Sequence, residues 1–79
     1  MPRRTPLPDW IHTRRRELGH RIAALRIAQG LSQDQLADRA GLERRSIQRY
    51  ENAVRDPRFA DLLLIANALE TPLAELVRE

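Results

Sequence analysis

The sequence predicts an all-α domain of five helices, compactly bundled, and three observations carry that reading. Apolar residues recur at helical spacing, and no segment alternates with the two-residue period of a strand. Capping residues, prolines and glycines punctuate the chain at intervals suited to short helices. The run QDQLADRAGLERRSIQRYEN, from Gln33 to Asn52, has the spacing of two short helices that cross steeply through a tight turn.

The elements follow in chain order. Pro2, Pro6 and Pro8, with Arg3 and Arg4 among them, forbid a helix and favour an extended basic arm. Arg3 and Arg4 fit either a minor-groove-tracking arm or an unstructured tail. Asp9 reads as an N-cap, so helical character begins there or after His12; the arm is assigned to residues 1–12 and the folded domain to 13–79. Leu18, Ile22 and Leu25 form the buried face of the first helix, with Arg14, Arg15, Arg16, Glu17 and Arg21 toward solvent and Gly30 as its end; Arg14 to Arg16 fit a solvated face better than a contact with a DNA backbone. Trp10 and Ile11 pack on this helix or join a subunit contact.

Ser32 caps the second helix, Gln35 completes a capping box, and the helix runs to about Ala40. Leu36 and Ala40 share one face, and Ala37 is small where the third helix must approach. Gly41 takes the left-handed turn. The third helix covers roughly Arg44 to Asn52, with Ile47 and Tyr50 inward and Arg44, Arg45, Gln48 and Arg49 outward. An arginine-rich helix on such a turn suits the major groove of duplex DNA. Asp56-Pro57 opens a fourth helix buried through Phe59, Leu62, Leu63, Ala66 and Leu69, and Thr71-Pro72 opens a short fifth with Leu73, Leu76 and Val77.

Composition narrows the function. Seventy-nine residues make one domain. The absence of cysteine removes disulfides, thiol catalysis and zinc-finger spacing. His12 and His20 lack a metal-like partner spacing and read as surface residues. No nucleophile–base pair, ligand cluster or phosphate loop suggests an enzyme, a metal or a cofactor, and no small-molecule site is evident. The apolar runs are too short to cross a membrane and no apolar signal region opens the chain, so the expected location is the cytoplasm, on the nucleoid. The net charge is +3 and every basic residue is arginine. Residues 1–21 hold six arginines against two acids, whereas residues 22–79 hold eight against nine. Any basic face is therefore built by placement rather than by bulk charge.

From about Leu18 to Val77 the chain resembles the Cro/phage-repressor type of helix-turn-helix regulator, also called the xenobiotic-response-element (Xre) family. The matching pieces are LGHRIAALR, GLSQDQLA, AGL, SIQRYEN, DPRF and LLLIANAL. The resemblance implies a lambda-repressor-like fold. It places Gln33, Arg44, Arg45, Gln48 and Arg49 at or beside the base edges, where Gln33 bonds a phosphate or braces a reading side chain. It sets Ser32, Asn52, Arg55 and Arg58 on phosphates, and makes Arg26 and Glu51 a buried ion pair. Four positions depart from the family pattern. Glu43 replaces the usual capping Ser or Thr, and either accepts from a cytosine amino group or holds Arg44 or Arg45. Ala53 and Glu70 replace frequent glycines, which leaves the end of the third helix open, and Leu64 replaces a polar residue.

The function this implies is a transcription regulator that binds double-stranded DNA as a homodimer on an inverted repeat, with half-sites about one helical turn (~10 bp) apart. Leu64, Leu73, Leu76 and Val77 either complete the core or are the candidate subunit contacts, the latter because the apolar run from Leu62 to Ala66 encircles more of a helix than one core face uses. Its mechanism would be occupancy, either blocking RNA polymerase or touching it. The competing reading is a protein-interaction adaptor or antitoxin-like module with the same fold.

Overall fold

The computed structural model describes residues 6–79, so Arg3 and Arg4 lie outside the described residues. It contains α1 (Asp9–Ala28), α2 (Gln33–Ala40), α3 (Arg44–Glu51), α4 (Phe59–Ala68) and α5 (Leu73–Val77), with no strand among the described residues. Helix α1 packs on α3 and α5, α2 on α3 and α4, and α4 on α5. Ile22, Leu36, Ile47, Ile65, Leu69 and Leu76 are fully buried at the centre, and Leu18, Leu25, Leu42 and Leu73 line the edge of this core.

Helix starts differ from the sequence reading in an instructive way. Pro8 occupies the N-cap of α1 and Asp9 is its first residue, so residues 9–12 belong to the helix and not to an arm. The carboxylate of Asp9 sits in the first turn, where it opposes the positive end of the helix. Ser32 caps α2 as its pattern predicts: its Oγ accepts from Gln35 N at 3.0 Å, and Gln35 Oε1 accepts from Ser32 N at 2.8 Å. Asp56 and Thr71 are not caps. Arg58 and Pro72 hold the N-cap positions of α4 and α5, without side-chain cap bonds. Asp56 is drawn away because it binds Arg15 on α1, Nε to Oδ1 at 2.5 Å and Nη2 to Oδ2 at 3.2 Å.

Arg14, Arg15 and Arg21 of α1 are likewise tied to the chain, whereas Arg16 is exposed as expected. Arg14 Nη2 donates to Val77 O at 2.7 Å and Arg21 Nη1 to Arg78 O at 2.7 Å, so two guanidinium groups take up carbonyls at the last residue of α5 and the one that follows it. In α4 the buried row is Asp61, Ile65, Ala66, Ala68 and Leu69; Phe59 and Leu63, expected inside, are 65% and 46% exposed. Leu76, expected at a subunit contact, is completely buried in the core and unavailable to a partner.

The first four helices all end by the same left-handed closure. The residues concerned are Gly30, Gly41, Ala53 and Glu70, with φ of 71°, 72°, 58° and 53°. Each is spanned by an amide that reaches back five residues: Leu31 to Arg26, Leu42 to Ala37, Val54 to Arg49 and Thr71 to Ala66, at 2.9–3.1 Å. Ala53 therefore ends α3 as a glycine would, at a backbone cost of roughly 1–2 kcal/mol for an L-residue. Tyr50 and Leu69, each buried beside one of these turns, hold the chain in place.

One glycine is required by contact and not by dihedral. A Cβ on Gly19, in the middle of α1, would lie 2.6 Å from the carbonyl oxygens of both Tyr50 and Glu51. Its absence lets the end of α3 rest directly on α1. Gly19→Ala gains up to about 1 kcal/mol of helix propensity. Overpacking against backbone that cannot rotate aside costs about 1–3 kcal/mol. The clash wins: we expect Gly19→Ala to lower thermal stability by roughly 1–2 kcal/mol in circular-dichroism melts. A melting temperature at or above that of the parent chain would refute this close approach.

Candidate nucleic-acid interface

Helix α3 is held by three inward residues, Ile47, Tyr50 and Glu51, which are 0%, 5% and 7% exposed. Arg45, Gln48, Arg49 and Asn52 follow one another at i, i+3, i+4 and i+7, a single stripe on the opposite side. Arg45, Gln48 and Asn52 are exposed and Arg49 is half-buried. Arg44 is exposed on the flank of the stripe, 3.5 Å from Asp34 in the first turn of α2. Both partners are solvated, so this pair contributes little to stability but joins the leading ends of the two helices. Holding Arg44 was one of the two roles open to Glu43 in the sequence, beside accepting from a cytosine amino group. Glu43 instead occupies the N-cap of α3, exposed and without a side-chain cap bond.

Behind the stripe lies a charged brace. Arg26 donates to Glu51 through Nε (2.6 Å to Oε2) and Nη2 (3.0 Å to Oε1), and its Nη1 donates to Leu31 O at 2.8 Å. Gln33 Nε2 donates to Glu51 Oε1 at 3.0 Å. One carboxylate, its side chain 4% exposed, thus joins α1, the α1–α2 turn, the start of α2 and the end of α3. The hydrogen bond from Arg26 to Glu51 pushes the guanidinium still further above its ordinary value. Removing one member of such a buried pair leaves the other unpaired and costs about 3–5 kcal/mol. Gln33 gives one N–H of its side-chain amide to Glu51 and keeps the other N–H and the carbonyl oxygen for further partners. Ser32 Oγ, proposed for a phosphate, already accepts the amide of Gln35 and keeps its hydroxyl proton.

A second anchor was not read from the sequence. The Tyr50 hydroxyl donates to Oδ2 of Asp61, which is 4% exposed on α4, and Arg58 Nε lies 3.8 Å from the same oxygen. Asp61 is the acid in the otherwise apolar row it shares with Ile65 and Leu69, and that mismatch is the signal that marks it. Around this anchor a cleft of about 670 Å³ runs beside the end of α3. Its wall carries Arg49, Arg55 and Arg58, together with Arg15, Asp56 and Ser46. The cleft therefore unites two of the expected phosphate contacts with an α1 arginine that sequence reasoning had set aside as solvated.

Several large apolar side chains remain exposed. Leu64 and Val77 are each 42% exposed, and Leu73 packs against the core. Phe59 and Leu63, one helical turn apart, lie open beside Leu64 and extend this surface along α4. Trp10 is 64% exposed near the start of α1. Among the described residues no helix is long and apolar enough to cross a membrane, and no group of three or more His, Asp or Glu is placed to hold a metal ion.

A helix-turn-helix family model matches residues 22–76. Over 53 residues the chain is 40% identical to uncharacterised HTH-type transcriptional regulators of Rickettsia prowazekii (strain Madrid E) and Rickettsia conorii (strain ATCC VR-613 / Malish 7). Those alignments cover 67% of this chain and 41% and 42% of the relatives, so the chain spans less than half the length of the curated relatives it matches. The crystal structure of the restriction-modification controller protein C.AhdI from Aeromonas hydrophila superposes with a TM-score of 0.76 at 36% identity, covering 77% of this chain and 92% of that one. A hypothetical transcription factor, NHTF from Neisseria, superposes with a TM-score of 0.78 at 25% identity, covering 94% and 84%.

Tyr50 offers a direct test of the second anchor. Burial raises its phenol above the ordinary 10.0, and the hydrogen bond to Asp61 raises it further. The protonated phenol is therefore favoured by folding, a contribution fully present below about pH 10 and lost as pH climbs through the higher folded value. Tyr50 is the one tyrosine in the chain, so absorbance of tyrosinate reports on it alone. We expect its titration midpoint to lie above about 10 and to coincide with loss of helical signal. A midpoint at the ordinary value, with the helices intact, would show Tyr50 free of Asp61.

Proposed function

This chain belongs to the helix-turn-helix family, and on that premise we propose that it is a sequence-specific regulator of transcription that binds double-stranded DNA through α3. The observation that carries the reading is the contrast between the two sides of that helix. Ile47, Tyr50 and Glu51 lock it inward, while Arg45, Gln48, Arg49 and Asn52 form an unobstructed stripe. Eight residues make a helix about 12 Å long, the width of a major groove. Arg45 and Gln48 are set to meet base edges, with Arg44 and Arg49 at either margin. Asn52, Arg55, Arg58 and the hydroxyl of Ser32 are set to meet phosphates. Gln33 acts through Glu51 by fixing the pose of α3. The likeness to HTH-type regulators and to a restriction-modification controller protein supports the same role, one of occupancy on the nucleoid and not of catalysis.

One such helix reads only a few base pairs, and two-fold pairing supplies the rest. The apolar strip of Phe59, Leu63 and Leu64 on α4, continued by Val77, is the surface we assign to the second subunit of a homodimer. Leu73 contributes at most its outer edge. Whether bound protein excludes RNA polymerase or touches it depends on where the operator lies.

Two outcomes test this reading. Arg45→Ala is expected to relax preference at one base pair by about 1–3 kcal/mol, read by selection from a random duplex pool. Its folding stability should stay within about 0.5 kcal/mol of the parent. An unfolded domain, or an unchanged site preference, would remove Arg45 from the groove. Leu64→Glu is expected to shift the chain toward monomer at low micromolar concentration in sedimentation and to weaken operator binding in parallel. A variant that stays dimeric there would reject the α4 surface.

A further inference from the structure

Arg15 lies outside the stretch matched by the family model, yet α1 carries it to the wall of the basic cleft beside α3. Its guanidinium is held by both oxygens of Asp56, at 2.5 and 3.2 Å. The two partners differ sharply in exposure, 19% for the Arg15 side chain and 63% for that of Asp56. Asp56 therefore lies over Arg15 from the solvent side, in the loop that also presents Arg55 and Arg58. A carboxylate grips a guanidinium through two oxygens in the same planar fork that a phosphodiester uses.

We propose that Arg15 is an additional phosphate-binding residue of this cleft and that Asp56 is its built-in counterion, displaced when a phosphodiester of the duplex backbone enters. This rests on the DNA-binding reading and adds to it a residue and a device outside the helix-turn-helix. In the free chain the pair contributes no net charge to the cleft, so Arg49, Arg55 and Arg58 set its attraction. On docking, the phosphate takes over the guanidinium fork and the Asp56 carboxylate turns to water. No covalent step is involved. The exchange trades one anion for another, so it adds little attraction at long range but fixes the position of the backbone once contact is made. It also restrains non-specific affinity, because Asp56 repels every phosphate that fails to displace it.

The test is the salt dependence of binding to a random-sequence 30-base-pair duplex, measured by fluorescence anisotropy on the full chain, with helicity followed in parallel. Asp56→Asn frees one guanidinium: affinity should rise about five-fold at low salt, and the slope of log affinity against log salt should steepen by about 0.9. Arg15→Gln should weaken binding by about ten-fold, since it removes the phosphate partner and leaves Asp56 facing the backbone. The double variant should bind better than Arg15→Gln alone. If Asp56→Asn binds no tighter, or loses helicity, the pair is a structural tie between α1 and the loop and the exchange is overturned. If the parent chain binds no duplex at any salt concentration, the DNA reading itself fails, and that result is separate from the first.

Discussion

The arrangement turns on one buried carboxylate. Glu51, at the end of α3, accepts from Arg26 of α1 twice and from Gln33 of α2 once. A charge in so dry a place is tolerated only when its lone pairs are filled and a counter-charge is fixed beside it. Meeting that demand sets the distance between α1 and α3 and the angle at which α2 begins. It is a constraint on geometry more than a source of stability. Gly19 serves the same end, because only a missing Cβ lets α1 approach the carbonyls of Tyr50 and Glu51. The buried inward residues of α3 thereby set which way its outward stripe faces.

The second anchor, Tyr50 on Asp61, repeats this logic at the other side of α3. Between the two anchors the helix can neither roll nor slide without leaving a polar group unpaired. A reading surface of eight residues needs such support, since an isolated helix of that length is barely stable in water. The left-handed closure after α3 adds to the restraint: Ala53 accepts an unfavourable backbone angle so that Val54 can bond Arg49.

Most of the architecture was legible because helical periodicity and capping are local. Ser32 with Gln35, Gly30, Gly41, and the inward pairing of Ile47 with Tyr50 can all be seen within a few residues. What escaped notice was decided by contacts far apart in sequence. Asp56 resembles a cap until Arg15 claims it, and Thr71 loses that role to Pro72. Phe59 and Leu63 look like core residues because hydrophobicity does not say which side of α4 meets α2. Leu76 could have completed the core or met a second subunit, and the packing of α5 on α1 and α4 decides for the core. The ion pair of Arg26 and Glu51 was reached through family resemblance, since two charges separated by 25 residues carry no local mark. The stripe on α3 was visible from spacing; the cleft beside it was not, for it needs α1 and the α3–α4 loop together.

The arginines bound to their own chain have an effect that reaches beyond packing. Arg14, Arg15, Arg21 and Arg26 all donate to acceptors within the domain, so much of the positive charge of α1 is masked at the source. Arg49, Arg55 and Arg58 instead share one cleft beside α3, where Arg55 and Arg58 stay exposed to water. The result is positive charge gathered at one cleft of a chain whose net charge is only +3. In the field of a polyanion such a body experiences a torque before it experiences contact, and it turns its arginine stripe forward while still several ångströms away. Orientation, more than attraction, is what this distribution of charge supplies to the encounter.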